Sequence, residues 1–202
     1  MLGFFTADGS MTKNERGAHF IEIEITDKGL LYKIRRIICS NHKISVRERK
    51  FPCKTAYRLQ IGSKEMFYDL MGLGLTPAKS KIVNLPKIPN QYLSHFTRGY
   101  FDGDGSVTIC KYIRADRNNR KSFVIISGFV SGSKKILGNL HTRLKESANI
   151  SGGALNYNSR GYRLNFSVKD SLKLYRFMYR NLEGGLFLNR KKKIFEKYFK
   201  IS

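Results

Sequence analysis

An eight-residue pattern occurs twice in this chain, and it constrains the fold more than any other feature. Gly3-Phe4-Phe5-Thr6-Ala7-Asp8-Gly9-Ser10 is answered by Gly99-Tyr100-Phe101-Asp102-Gly103-Asp104-Gly105-Ser106, 96 positions later. Glycine, two aromatics, a variable residue, a small residue, Asp, Gly and Ser follow in the same order both times. Self-similarity of this kind marks two copies of one structural unit.

The residues after each copy repeat as well. Phe20-Ile21-Glu22-Ile23-Glu24-Ile25-Thr26 alternates apolar and polar side chains, the period of a half-buried strand, and its counterpart Phe123 to Ser131 is apolar and rich in β-formers. A helical stretch follows each, Lys28 to Cys39 and Lys134 to Ala148. Tyr57-Arg58-Leu59-Gln60-Ile61 is then answered by Tyr162-Arg163-Leu164-Asn165-Phe166, each leading into a further helix, Lys64 to Met71 and Lys169 to Asn181. Each half thus reads helix, two strands, helix, two strands, helix, an α+β arrangement. The prolines of Leu85-Pro86-Lys87-Ile88-Pro89-Asn90 mark the linker between residues 1–92 and 93–202.

The repeated segment carries chemistry as well as symmetry. Gly3 and Ala7 stand four apart, as do Gly99 and Gly103, so each predicted helix has a stripe of small residues on one face. Such stripes let two backbones approach closely. Asp8 and Asp104 follow directly, with Gly9 and Gly105 expected to stop each helix in a left-handed conformation. A carboxylate at a helix C-terminus faces the negative end of the dipole, which costs a few tenths to ~1 kcal/mol. In a chain with 15 acids against 38 bases, two such placements call for a cation. Hard oxygen donors suit Mg²⁺ or Mn²⁺ better than zinc. One Asp-Gly alone would be an ordinary turn; two with matched flanks in so basic a chain are not.

The net charge of +23 points to a polyanionic partner, because each phosphate neutralised releases counterions. Both halves are basic, with 16 Lys plus Arg against 8 acids in residues 1–92 and 22 against 7 in residues 93–202. Cys39, Cys53 and Cys110 are far apart and lack zinc spacing, and His19, His42, His95 and His141 are scattered. No apolar run approaches the ~20 residues that span a bilayer. No basic-then-apolar leader follows Met1. These features predict no membrane partner and an intracellular, non-secreted protein of a bacterial or archaeal cytoplasm or an organelle.

At Met1 to Gly9 and Thr97 to Gly105 the chain resembles the paired motifs of LAGLIDADG homing endonucleases, and the resemblance extends over essentially its whole length. It implies two pseudo-symmetric αββαββα halves, each with a four-stranded antiparallel sheet forming a DNA-binding saddle, joined through the two motif helices. It implies metal ligation by Asp8 and Asp104, with backbone carbonyls from Ala7 and Gly103. Thr6 stands where the family pattern has its first acid, while Asp102 keeps it. The family places a basic residue after the last strand of each half to steady the scissile phosphate or water. Lys79 and Lys81 fit that place in the first half. The cluster Arg190-Lys191-Lys192-Lys193 fits it in the second, with Lys81 and Lys192 favoured. The implied activity is site-specific cleavage of double-stranded DNA at a long asymmetric site, leaving 3′ overhangs, by a monomer tied to intron or intein homing. A maturase acting on host intron RNA, and a DNA-binding regulator with a dead site, are the alternatives on the same fold.

Strand alternation selects the residues that would read DNA. If Ile21, Ile23 and Ile25 face the helices, Glu22, Glu24, Arg58 and Gln60 face the other way. Ser45, Arg47 and Arg49 alternate with Ile44 and Val46, Asn156 and Asn158 bracket Tyr157, and Arg163 and Asn165 alternate with Tyr162, Leu164 and Phe166. Arg, Asn and Gln pair bidentately with guanine and adenine edges, and acids accept from cytosine. Arg16, Arg114, Arg117, Arg120 and Lys121 fall in predicted loops, where phosphate contact is the expected role.

Overall fold

The computed structural model describes residues 1–77, 84–114, 120–159, 161–182 and 185–201, with backbone alone for Arg114 and Arg120. The first repeat runs α1 (Leu2–Asp8), β1 (Gly9–Lys13), β2 (His19–Ile25), α2 (Lys28–Ile37), β3 (Ile44–Arg47), β4 (Ala56–Gly62) and α3 (Lys64–Gly72). After a single 3-10 turn at Asn90–Tyr92, the second runs α4 (Leu93–Asp104), β5 (Gly105–Arg114), β6 (Arg120–Ser131), α5 (Lys134–Ala148), β7 (Ala154–Asn158), β8 (Gly161–Phe166) and α6 (Val168–Tyr179). A further helix, α7 (Asn189–Phe199), stands outside the repeat. The strands form two antiparallel four-stranded sheets, ordered β1-β2-β4-β3 and β5-β6-β8-β7, as the α+β reading requires.

Local chemistry sets the helix starts. Asp27, Ser63 and Ser133 each occupy an N-cap and accept from the N–H three residues on, of Leu30 at 2.8 Å, Met66 at 3.1 Å and Ile136 at 3.4 Å. Alternation then sorts the strands. Ile21, Ile23, Leu59 and Ile61 turn inward against Leu30, Leu31 and Ile34 of α2 and Phe67 and Leu70 of α3. In the second sheet Ile125, Phe129, Leu164 and Phe166 meet Ile136, Leu137, Leu140 and Leu144 of α5 and Leu174 and Met178 of α6. Each fully buried side chain of this size contributes about 1.5–3 kcal/mol.

Three expectations shift. Helix α2 ends at Ile37, because Cys39 takes φ +51° and the Cys39 and Ser40 N–H groups close back on the carbonyls of Arg36 and Arg35. Gly9 is extended, at φ −84° and ψ 159°, and Gly105 has no positive φ either; both open a strand. The left-handed helix stop is therefore not used. Gly9 is required for another reason: a Cβ there would lie 2.1 Å from the Phe5 ring. Last, the repeat boundary and the packing boundary differ. Met1–Gly103 with Leu182–Phe187 form one compact unit, and Asp104–Asn181 with Leu188–Ser202 form the other. Helix α4 opens the second repeat yet packs within the first unit. Among the described residues no helix is long and apolar enough to cross a membrane.

Candidate functional site

The two small-residue stripes meet within the first unit. A Cβ at Gly3 would stand 1.9 Å from the Phe96 carbonyl oxygen, and one at Gly99 would stand 2.8 Å from the Phe4 nitrogen. A Cβ at Gly103 would lie 2.3 Å from the Ala7 methyl and 2.9 Å from Asp8 Oδ2. Helices α1 and α4 thus touch backbone to backbone, and only hydrogen fits at three of the contact points. The seam delivers the Asp8 carboxylate to the last turn of α4. Asp8 is exposed, whereas Thr6, one turn after Leu2, is buried and donates to the Leu2 carbonyl at 2.9 Å. Asp102, at the position equivalent to Thr6, is likewise buried. Asp104 ends α4, lies in the second unit and is half-buried.

The donor set limits the ion. Among the described residues there is no cluster of three or more His, Cys, Asp or Glu side chains that could hold a metal. An ion at Asp8 or Asp104 would complete its shell from backbone carbonyls, water and a ligand's own oxygens. The Ala7 and Gly103 carbonyls belong to final helical turns, where carbonyls outrun their intrahelical N–H partners. Oxygen-only coordination with several open positions fits Mg²⁺ or Mn²⁺ and excludes a closed structural zinc site.

In the second unit a lysine reaches the chain directly after Asp104. Lys191, in the first turn of α7, is buried, and its Nζ donates to the Gly105 carbonyl at 2.7 Å. Lys192, favoured from the sequence, is instead held by Glu196, which also accepts from the Tyr175 hydroxyl at 3.4 Å. Burial, aided by Glu196 and opposed by Lys192, raises the Tyr175 hydroxyl above the usual tyrosine range. Sequence spacing held a clue to this assignment. Lys191 stands four residues before Phe195, the other buried residue of α7, and Lys192 stands four before Glu196. Lys79 and Lys81 lie outside the described residues.

The outer faces of the sheets hold most of the residues expected to contact DNA. In the first, Arg58 Nη2 donates to Glu22, Arg49 Nη2 donates to Glu24, and Arg47 Nε lies 3.3 Å from Glu24. Gln60 stands opposite Glu22 and is half-buried, and Ser45 stands opposite Arg58, donating to its carbonyl at 3.4 Å. In the second, Asn156 pairs with Arg163 across the ladder, Asn158 with Gly161, and Asn165 with Gly128. Asn156, Asn158 and Arg163 are exposed, and Asn165 is half-buried. Arg16 is exposed in the β1–β2 turn, which Gly17 closes at φ +80°. Arg114 and Arg120 are the paired end residues of β5 and β6, so they belong to a lengthened hairpin, beside the exposed Lys121. Arg117 lies outside the described residues.

This geometry has relatives. Residues 1–71 match the family model described as a LAGLIDADG-like domain. The meganuclease I-SmaMI bound to uncleavable DNA is similar in structure, with TM-score 0.63 and 14% sequence identity over 98% of this chain and 88% of that one. The LAGLIDADG meganuclease I-AabMI bound to uncleaved DNA gives TM-score 0.64 and 14% identity over 100% and 88%. I-SmaMI has also been solved on an uncleaved DNA target with calcium ions, at TM-score 0.63 and 14% identity over 98% and 88%. No curated protein sequence matches the chain. At this identity the structural likeness shows a shared fold.

Proposed function

From a chain that carries a LAGLIDADG-like domain over its first 71 residues and has the fold of LAGLIDADG meganucleases over nearly all its length, we propose a site-specific double-stranded DNA endonuclease that hydrolyses phosphodiester bonds and leaves staggered 3′ overhangs. The observation that carries this reading is the α1–α4 seam. Glycines at 3, 99 and 103 admit no side chain, and the seam they form sets Asp8 against Gly103, the residue before Asp104. So demanding an approach is hard to explain as packing alone, because it ends in carboxylates in a chain otherwise short of them.

Asp8 and Asp104, with the Ala7 and Gly103 carbonyls, would hold Mg²⁺ or Mn²⁺. When bound, such an ion supplies water activation and charge neutralisation at the leaving oxygen. Lys191 fixes the Gly105 carbonyl and so the exit of the chain from Asp104. The sheet faces supply base contacts, and the exposed Arg16 and Lys121, with Arg114, supply phosphate contacts without sequence information. With one motif in each repeat the chain would act as a monomer, inside the cell and on a long asymmetric site. The calcium reported with I-SmaMI is consistent with divalent-ion use on this fold.

The test begins with a randomised pool of duplexes, from which the protein selects its site in chelator. Addition of Mg²⁺ or Mn²⁺ should then cut the selected duplex. Asp8→Asn and Asp104→Asn should each lower double-strand cleavage more than about 100-fold while binding stays intact or tightens, since each removes a negative charge facing phosphates. Normal cutting by both variants would sink the proposal.

A further inference from the structure

Resting on the endonuclease reading, we infer that Glu22 and Glu24, with the arginines they hold, make the first sheet a reader of G·C base pairs. The two acids stand two residues apart on β2, a central strand, on the face away from the helices. A carboxylate on a surface meant for DNA repels phosphate, so its presence on that face requires a compensating role. Stability is a poor candidate, because partly exposed ion pairs contribute little to it. Glu22 and Arg58 are about one-fifth exposed, at 20% and 22%, and Arg47 and Arg49 nearly half. Arg58 Nε is moreover buried without a hydrogen-bond partner among the described residues, which costs stability.

Recognition accounts for the arrangement better. An arginine fork needs two adjacent acceptors, and in the major groove guanine O6 and N7 supply them, while the partner cytosine offers the N4 amino donor. A donor fork beside a carboxylate acceptor is complementary to that edge. Opposite thymine O4 the same carboxylate meets another acceptor and repels. Each acid also restrains its arginines, so that a neighbouring phosphate cannot capture them without leaving a carboxylate unpaired, a device that penalises wrong sites. Residues two apart on a strand are separated by roughly 7 Å. Two base-pair steps of ~3.4 Å span the same distance. The two acids therefore address G·C pairs two steps apart in one half-site.

Selection from a randomised duplex pool in chelator tests this. The wild-type chain should fix G·C at two positions two steps apart in one half of its site. Glu22→Gln and Glu24→Gln should each relax one of these positions, cut the preference there roughly ten-fold, and tighten binding to unselected duplexes. Arg58→Lys keeps the charge but loses the fork, and should relax the same position without that gain; thermal melts establish that each variant is folded. Selection of A·T at these positions would overturn the inference. So would variants that bind all duplexes more tightly with the selected sequence unchanged. If the wild-type chain selects no duplex at all, the endonuclease reading falls and takes this inference with it.

Discussion

In the first sheet Arg58 stands opposite Glu24 on the neighbouring strand and is held by Glu22; in the second, Arg163 has the same place in the ladder and faces Val130, with Gly128 where Glu22 would be. The equivalence is fixed by register, since Gly9 pairs with Ile23 and Gly105 with Phe129, while Ile23 pairs with Leu59 and Phe129 with Leu164. Ser45 and Arg47 likewise correspond to Asn156 and Asn158. One scaffold thus presents a charged, internally neutralised face in one unit and an amide-rich face without these acids in the other. The motif helices are conserved in design between the repeats, and the reading faces are not. Duplicated backbone geometry leaves side chains on the solvent side freer to diverge than those of the seam, within the room that the neighbouring strand leaves at each position.

The shared part of the design should be the least forgiving. Gly3→Ala places a methyl 1.9 Å from the Phe96 carbonyl, against backbone that cannot rotate away. It should cost about 3 kcal/mol or more and lower the melting temperature of the chain sharply. Gly138→Ala in α5, where a Cβ meets nothing within 4 Å, should instead stabilise by about 0.5–1 kcal/mol. Equal effects of the two changes in thermal melts would mean that α1 and α4 do not meet as described.

Lys191→Met comes next. It keeps the volume of the buried stem and removes the donor to Gly105, so cleavage of a selected site should fall about 100-fold while thermal stability changes less. Lys192→Met, which loses only the pair with Glu196, should cost no more than about three-fold. The reverse order in single-turnover cleavage assays would return the role to Lys192.

The second unit also carries a buried carboxylate at Asp170, in the first turn of α6, where the first repeat has the exposed Glu65. Burial works to raise the pKa of Asp170, but the N–H groups of Ser151 at 3.1 Å and Gly152 at 2.9 Å, Lys173 at 3.7 Å and the Ser151 hydroxyl at 3.3 Å outweigh it and hold the carboxyl below its usual value. A depressed folded-state pKa contributes stability that is full above the unfolded value, 3.8, and is lost as the pH falls through the folded one. Asp170→Asn should cost about 1–3 kcal/mol at neutral pH, and the difference from wild type should shrink in acid melts below that value. A pH-independent difference would assign the loss to packing.

How much of this was legible in the sequence follows from which interactions are local. The strands and helices were readable because Ile21, Ile23 and Ile25 alternate and because Asp27, Ser63 and Ser133 sit at caps. The seam was readable from the spacing of Gly3, Ala7, Gly99 and Gly103. The role of Gly9 was not, since a turn and a close approach both ask for glycine, and only the position of the Phe5 ring separates them. The cluster at 190–193 was readable, but the partner of each lysine was not, because one residue of helical rotation decides between Gly105 and Glu196. The Glu–Arg pairs needed the β2–β4–β3 register, which joins residues up to 36 positions apart.

The smallest expected effect bears most directly on the contrast between the faces. If register alone determines which residues can pair, the acid of the first sheet should be transferable to the second at one position and barred at the other. Val130 is half-buried at a ladder position opposite Arg163, which is exposed and makes no ion pair among the described residues. Val130→Glu should therefore fold, couple to Arg163 by about 0.2–1 kcal/mol in a double-mutant cycle with Arg163→Ala, and weaken non-specific DNA binding slightly. Gly128→Glu has no such room, because its Cβ would stand 2.3 Å from the Leu164 carbonyl oxygen and 2.7 Å from Asn165 Oδ1. It should destabilise the second sheet outright. Were Gly128→Glu tolerated as well as Val130→Glu in thermal melts, the absence of acids from the second face would owe nothing to the approach of β8, and its divergence from the first would be a matter of DNA contact alone.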